Sequence, residues 1–213
     1  FNNSEHRQAE NLMKMFLSVA KDLRVIIIKF SDRLHNMKTL KFLSDYKRER
    51  VALETKEVYA PLAHRLGMNE LKMNYENLIL EAIHPQTYNS IKRKINATNK
   101  KREQYIDDFS KPITNALNEF EIVADVKGRA KHYYSIYRKI KTQSKKIEEL
   151  FDLLGIRIIV DKIEDCYAAL GIIHQIYTPM QERFKDYIAT PKSNGYQSIH
   201  TTVFGANGKI FEI

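Results

Sequence analysis

Apolar side chains recur at helical spacing through the first 120 positions, and a two-residue period enters only beyond Glu121. Leu12, Met15, Phe16 and Val19 lie three and four apart, and Val25, Ile28, Leu34, Met37 and Leu40 carry the spacing on. That pattern predicts two helices within 5–43, with a boundary near Asp22. Val51, Leu53, Val58, Leu62 and Leu66 mark the next helix, and Gly67 is placed to end it, because glycine takes the left-handed conformation common at helix C-termini. Another helix is expected from Glu70 to Pro85, and longer polar helices follow to about Phe120. The texture then changes. Residues 121–126 read as a strand, 132–141 as a basic, aromatic helix with Tyr133, Ile136 and Ile140 inward, and the apolar run 156–160 as a buried central strand. Residues 165–177 read as a further helix. Phe184, Asp186 and Ile188 alternate with Lys185, Tyr187 and Ala189, which predicts a strand stopped by Thr190-Pro191. Ser193-Asn194-Gly195 supplies a turn, a second strand is expected over 197–204, and another at 209–213. Helices first and mixed elements afterwards make the fold class α+β.

Formal net charge is +9, and its placement changes the picture more than its size. Eight Lys and Arg fall within 127–146 with no Asp or Glu among them, while the rest of 99–213 holds more acidic than basic side chains. Charge that local suits a small polyanion better than a diffuse nucleic-acid surface. The rival reading is an RNA-binding module, with 127–146 tracking a backbone and Tyr133, Tyr134 and Tyr137 stacking on bases. Hydrophobic content of 43% and charged content of 29% fit a soluble globular protein. No apolar run approaches the roughly 20 residues of a membrane span, and the longest, Val25 to Ile28, stops at Lys29. A single Cys166 forms no internal disulfide and no signal peptide is seen, so a reducing cytoplasm is expected.

Candidate chemistry concentrates between Arg183 and His200. Arg183, Lys185, Lys192, Asn194, Tyr196 and His200 bring cations, an amide donor and a flat ring to one hairpin-like loop. Cations match phosphate oxygens, and a ring can stack on a base, so the loop reads as a grip on a phosphorylated nucleotide. The competing reading of Tyr196 is a strand aromatic packed inward. No glycine-rich phosphate cradle is present, so side-chain cations must hold the phosphates. Asp32, Asn36 and Thr39, spaced i, i+4 and i+7, share one helix face. Asp32 there is either paired with a nearby arginine or a metal ligand. Asp152, before the apolar run, is either a helix cap or a metal ligand. No spacing supports His64, Arg65 or His84 as ligands; surface or packing roles are expected of them, and core or boundary roles of Cys166 and His174.

RFKDYIATPKSNGYQSIHT (183–201) resembles the nucleotide-binding signature of the RelA/SpoT homologue family, the (p)ppGpp synthetase/hydrolases of the bacterial stringent response. GRAKHYYSIYRK (128–139) resembles that family's GR-x-K-x-x-YSI-x-x-K segment, and KFSDRLHNMKTL (29–40) the last segment of its HD-type hydrolase domain. The resemblance implies an all-α HD-hydrolase remnant (1–66), a helical connector (67–120) and a synthetase domain with a nucleotidyltransferase-like mixed sheet (121–213). It implies transfer of pyrophosphate from ATP to the 3′-hydroxyl of GDP or GTP, giving (p)ppGpp and AMP. Arg129, Lys131 and Lys139 would hold ATP. Arg183, Lys185, Lys192, Asn194 and His200 would hold GDP or GTP, with the ring of Tyr196 rather than its hydroxyl stacking on guanine. Asp152 and Glu212 would bind Mg²⁺, and Glu212 matches the first residue of the family's E-[IV]-Q-I-R-T element. In the hydrolase part Asp32 would be a Mn²⁺ ligand and Asn36 and Thr39 nucleotide contacts. The family's other metal ligands, a His and a His-Asp pair, precede this sequence, so that site is expected as a fragment without hydrolysis. Arg183-Phe184-Lys185-Asp186 matches the basic variant of bifunctional members, whose parent could associate with the ribosome. A catalytically inactive regulatory fragment is the remaining alternative.

Overall fold

The computed structural model describes residue 22 and residues 24–129, 132–143, 153–205 and 208–213. The helix expected over the first twenty positions lies outside the described residues. The next one forms as predicted: α1 (Arg24–Lys38) buries Ile26, Phe30 and Met37, and a 3₁₀ turn (Leu40–Phe42) follows it. The spacing of 51–66 gives one continuous helical rod in three parts, α2 (Asp45–Glu54), a π turn (Thr55–Tyr59) and α3 (Ala60–Arg65). Inside the π turn, buried Thr55 donates its hydroxyl to the Val51 carbonyl at 2.7 Å, a local bond that competes with the regular ladder. Gly67 does end the rod, at φ +73°. Its amide donates to the His64 carbonyl at 3.1 Å and that of Met68 to Ala63 at 2.9 Å, the paired closure of a Schellman motif.

Helix α4 (Asn69–Ile83) packs on this rod. Phe30 meets Tyr59 and Tyr75 edge to face, and the Tyr75 hydroxyl donates to the Phe30 carbonyl at 2.7 Å. Arg33 lies over the Tyr59 ring at 4.1 Å and pairs with Glu54 at 2.7 Å. A half-buried cation is tolerated because both its charge and its flat face are matched.

A single 35-residue helix, α5 (Pro85–Glu119), takes the place of the several expected to Phe120. At 1.5 Å per residue it is about 50 Å long, and it carries two cores. Its first half, with Leu80 of α4, holds α6 (Tyr133–Gln143) through Tyr88, Ile91 and Ile136. Its second half, through Phe109, Ile113 and Leu117, holds the sheet.

The sheet is mixed, in the order β1 (Ala124–Gly128), β2 (Leu153–Val160), β6 (Ile210–Glu212), β5 (Thr202–Phe204). The β2–β6 pair is parallel and the two flanking pairs antiparallel. Helix α7 (Ile163–Ile176) covers one face with Ala169, Ile172 and Ile173. Phe109 stacks between Tyr177 and Phe211, at 4.2 and 3.6 Å, and ties α5, α7 and β6 together.

Four strand expectations change. The one over 121–126 moves to β1, Ala124–Gly128, because the Glu121 and Ile122 amides donate to the Asn118 and Leu117 carbonyls and close α5 instead. The run 156–160 is central but not buried throughout: Arg157 and Ile159 are exposed on the face opposite Ile156. Alternation over 183–189 yields only β3 (Lys185–Asp186), preceded by a 3₁₀ turn (Gln181–Arg183). The Asp186 carboxylate accepts the amides of Ile188 and Ala189, both at 2.9 Å, and that turn competes directly with a ladder. The expected strand 197–204 splits into β4 (Ile199–His200), paired with β3, and β5, paired with β6. Thr201 between them exchanges both backbone hydrogen bonds with Ile213. No helix among the described residues is long and apolar enough to cross a membrane.

Candidate active site

Three groups of side chains meet at a cavity of about 540 Å³. Helix α6 supplies Ser135, Arg138 and Lys139, with His132 just before it, and the sheet supplies Gly155 and Glu212, with Arg129 just beyond β1. The loop after α7 supplies Glu182, Arg183, Lys185, Tyr187, Lys192 and His200. Most of α6 is fixed by the helical part: its N-terminal turn is capped from α4, where the Asn77 side-chain oxygen accepts the Tyr134 amide at 3.1 Å. Tyr133 lies edge-on to Tyr88, and Tyr137 against His84. One wall of the cavity thus belongs to the helices and the other to the sheet.

On the sheet side the strand register does the placing. Gly155 pairs with Glu212, and Glu212 with Thr202. The Arg129 amide donates to the Gly155 carbonyl at 2.7 Å. A Cβ on Gly155 would stand 3.2 Å from the Arg129 Cβ and 3.8 Å from its Cδ, so a glycine lets the Arg129 stem cross the strand beside Glu212. The loop is shaped by Gly195, at φ +73°, whose amide donates to Lys192, while the Lys192 amide donates to Tyr196.

Six cations, Arg129, Arg138, Lys139, Arg183, Lys185 and Lys192, line this one cavity, and among the described residues none of them is in an ion pair. Their field acts on the two histidines. His200 is held below the ordinary imidazole value first by burial, then by Arg129, Lys192 and Lys185, against the pull of Glu212. His132 is lowered by burial, then by Arg129, Arg157 and Lys72, against Glu76. Both are neutral near pH 7, so the positive potential comes from the permanent cations. A convergent set of unneutralised cations stabilises a multiply charged anion.

Of the residues singled out in the sequence, Arg129, Lys139, Arg183, Lys185, Lys192, His200 and Glu212 come together here. Tyr196 lines an adjoining cavity of about 110 Å³ that shares Arg129 and His200 with the larger one. Its hydroxyl lies 2.9 Å from His200 Nε2. Asn194 is placed elsewhere: its amide donates to the His64 carbonyl at 2.9 Å, and its oxygen accepts the Tyr196 amide. Lys131 and Asp152 lie outside the described residues. Asp32 is exposed, not set among apolar neighbours, and accepts from the Asn36 side chain at 3.3 Å. The Thr39 hydroxyl donates to the His35 and Asn36 carbonyls. None of these three lines either cavity. His132, Glu182 and Tyr187 were not singled out as ligands, nor was Arg157, which lines the smaller cavity. Arg157 had a signal, a lone cation inside an apolar strand; the others had none.

Among the described residues no group of three or more His, Cys, Asp or Glu side chains could hold a metal. Glu212 with substrate phosphates and water fits a magnesium-type site, which uses one or two carboxylates. Asp32 with Asn36 does not assemble a transition-metal site.

Residues 128–213 match the model of the region found in RelA/SpoT proteins, and residues 2–69 that of an HD domain. A GTP pyrophosphokinase of Streptomyces antibioticus is 48% identical over 209 residues, 98% of this chain and 25% of that protein. The bifunctional (p)ppGpp synthase/hydrolase RelA of Mycobacterium tuberculosis is 46% identical over 206 residues, 97% of this chain and 28% of that protein. The chain thus spans between a quarter and a third of the length of these relatives. Among solved structures, the small alarmone synthetase 1 of Bacillus subtilis bound to its product pppGpp is 26% identical, with a TM-score of 0.41 over 57% of this chain and 70% of that one.

Proposed function

The chain belongs to the RelA/SpoT homologue family, and from that premise we propose that 121–213 transfer pyrophosphate from ATP to the 3′-hydroxyl of GDP or GTP. One observation supports this above the others: six cations without ion-pair partners converge with Glu212 on a single cavity. The 3′-oxygen attacks the β-phosphorus in line, the bond from that phosphorus to the α-phosphate oxygen breaks, and AMP leaves. Such transfer depends on positioning and charge neutralisation more than on covalent help.

Arg129 takes the adenine side of ATP and Lys139 its phosphates, where Lys131 is assigned by resemblance and Arg138 joins them from the same cavity wall. Arg183, Lys185, Lys192 and His200 face the acceptor phosphates, and the Tyr196 ring takes guanine. Glu212 accepts the proton of the 3′-hydroxyl. Mg²⁺, held by Glu212 and Asp152, would neutralise charge on the transferred group. In the HD part, within 1–66, the same family pattern assigns Asn36 and Thr39 to the nucleotide and makes Asp32 one ligand of a Mn²⁺ site that Asp32 and Asn36 do not complete alone, and 67–120 connects the two. Nucleotide substrates of this kind suit a reaction in the cytoplasm.

Incubating the chain with ATP, GDP and Mg²⁺ tests the reading. AMP and ppGpp should appear in equal amounts, and Glu212→Gln should abolish both while GDP still binds. Binding of GDP with no AMP released under any condition would overturn the synthetase reading.

A further inference from the structure

The ring assigned to guanine is covered before any nucleotide arrives. Lys192 Nζ stands 4.9 Å from the centre of the Tyr196 ring and 4.3 Å from that of Tyr187. The two rings meet edge to face at 6.1 Å, and His200 lies edge-on to both. The backbone of this cluster is fixed, since Lys192 and Tyr196 are the two ends of one hydrogen-bonded turn. The movable part is the exposed lysine stem, which ends on the large cavity.

An ammonium on two ring faces is weakly held at an exposed site. A phosphate offers a charge-assisted hydrogen bond, which is stronger. We propose that Lys192 is a phosphate-dependent gate on the Tyr196 ring, with Tyr187 the positioning residue that seats it. Phosphate draws the ammonium off the rings into the cavity and the freed face takes the base, so phosphorylated guanine nucleotides are selected over the bare nucleoside. This rests on the assignment of Tyr196 to guanine and Lys192 to phosphate.

The test compares guanosine and GDP affinities, by calorimetry, in the unaltered chain and three variants. Lys192→Ala should bind guanosine about two- to five-fold more tightly, the factor one exposed cation–ring contact represents, and GDP at least several-fold more weakly. Tyr187→Leu should tighten guanosine by a similar factor, and Tyr187→Phe, which keeps the ring face, should match the unaltered chain. Opposite changes for the two ligands are not expected of a residue that only supports the fold. Guanosine binding that is unchanged or weakened in Lys192→Ala, alongside weakened GDP binding, overturns the gate and leaves the phosphate role standing. GDP affinity unchanged in that variant removes the phosphate role itself, and the gate with it.

Discussion

His200 reports the charge of its surroundings through its own proton. Burial and three neighbouring cations hold its pKa below the ordinary 6.5. A bound polyphosphate neutralises those cations and adds negative charge nearby, and both effects favour the imidazolium. The sign is therefore proton uptake on binding, in the window from the lowered empty-site value up to and past 6.5. Titrating GDP calorimetrically near pH 6 in two buffers of different ionisation enthalpy should show uptake of a fraction of a proton, roughly up to one. His200→Gln should remove most of it, leaving the share of His132. Equal apparent enthalpies in both buffers would mean that the phosphates stay away from His200.

Elements of different origin build the two walls, and each has a residue whose substitution should disturb one wall alone. Gly155→Ala removes backbone freedom from the unfolded chain, worth about 0.4–1 kcal/mol, and crowds Arg129 by a few tenths of an ångström. The two effects offset, so the melting point should barely move while KM for ATP rises several-fold. Gly155→Val exceeds the space available and should cost about 1–3 kcal/mol as overpacking. A Gly155→Ala variant with unchanged KM for ATP would show that Arg129 does not need its close approach. On the other wall, Asn77→Ala deletes the cap of α6. Losses of this kind run to about 0.5–2 kcal/mol. The displaced Arg138 and Lys139 should raise KM for ATP more than KM for GDP, and Asn77→Asp, still able to accept the Tyr134 amide, should restore most of it. Equal loss for both substrates, unrestored by aspartate, would assign Asn77 to stability only.

Across the whole molecule the loop that carries Lys192 and Tyr196 is docked on the helical part 130 positions earlier, through the Asn194 amide and the His64 carbonyl. That carbonyl is held in place by the left-handed closure at Gly67, and a Cβ on Gly67 would stand 3.7 Å from the Asn194 carbonyl oxygen. Asn194→Ala should weaken GDP binding roughly two- to ten-fold, the range of one modest hydrogen bond. Gly67→Ala forces a side chain into a left-handed backbone and should lower the melting point while weakening GDP binding too. If the dock carries both effects, the double variant should be no weaker for GDP than the worse single one. Additive losses would mean that Asn194 touches the nucleotide directly.

Sequence by itself determined most elements and which cations and rings the loop carries. Helical periodicity located α1, the rod ending at Gly67 and α4, because those spacings report burial on a single face, a local property of each helix. Arg129 and Lys139 were legible in a run of cations free of acids, Arg183, Lys185, Lys192 and His200 as cations and a ring gathered in one short loop, and Glu212 through the family resemblance alone. Tertiary structure alone decided what those residues face. Strand length over 183–204 depended on the Asp186 turn and on Thr201 pairing with Ile213, and neither competitor has a periodic signature. Asn194 and Asn77 are ordinary polar residues in sequence, yet one docks the loop and the other caps α6, since a single amide finds its partner only after distant segments meet. The Tyr196 hydroxyl, expected to be idle, lies 2.9 Å from His200 Nε2 four positions later, a contact with no signature in the sequence. Only packing could bring the wall of α6, held by the helices, opposite the wall of β2 and β6, and so make one cavity from charges spread over more than eighty positions.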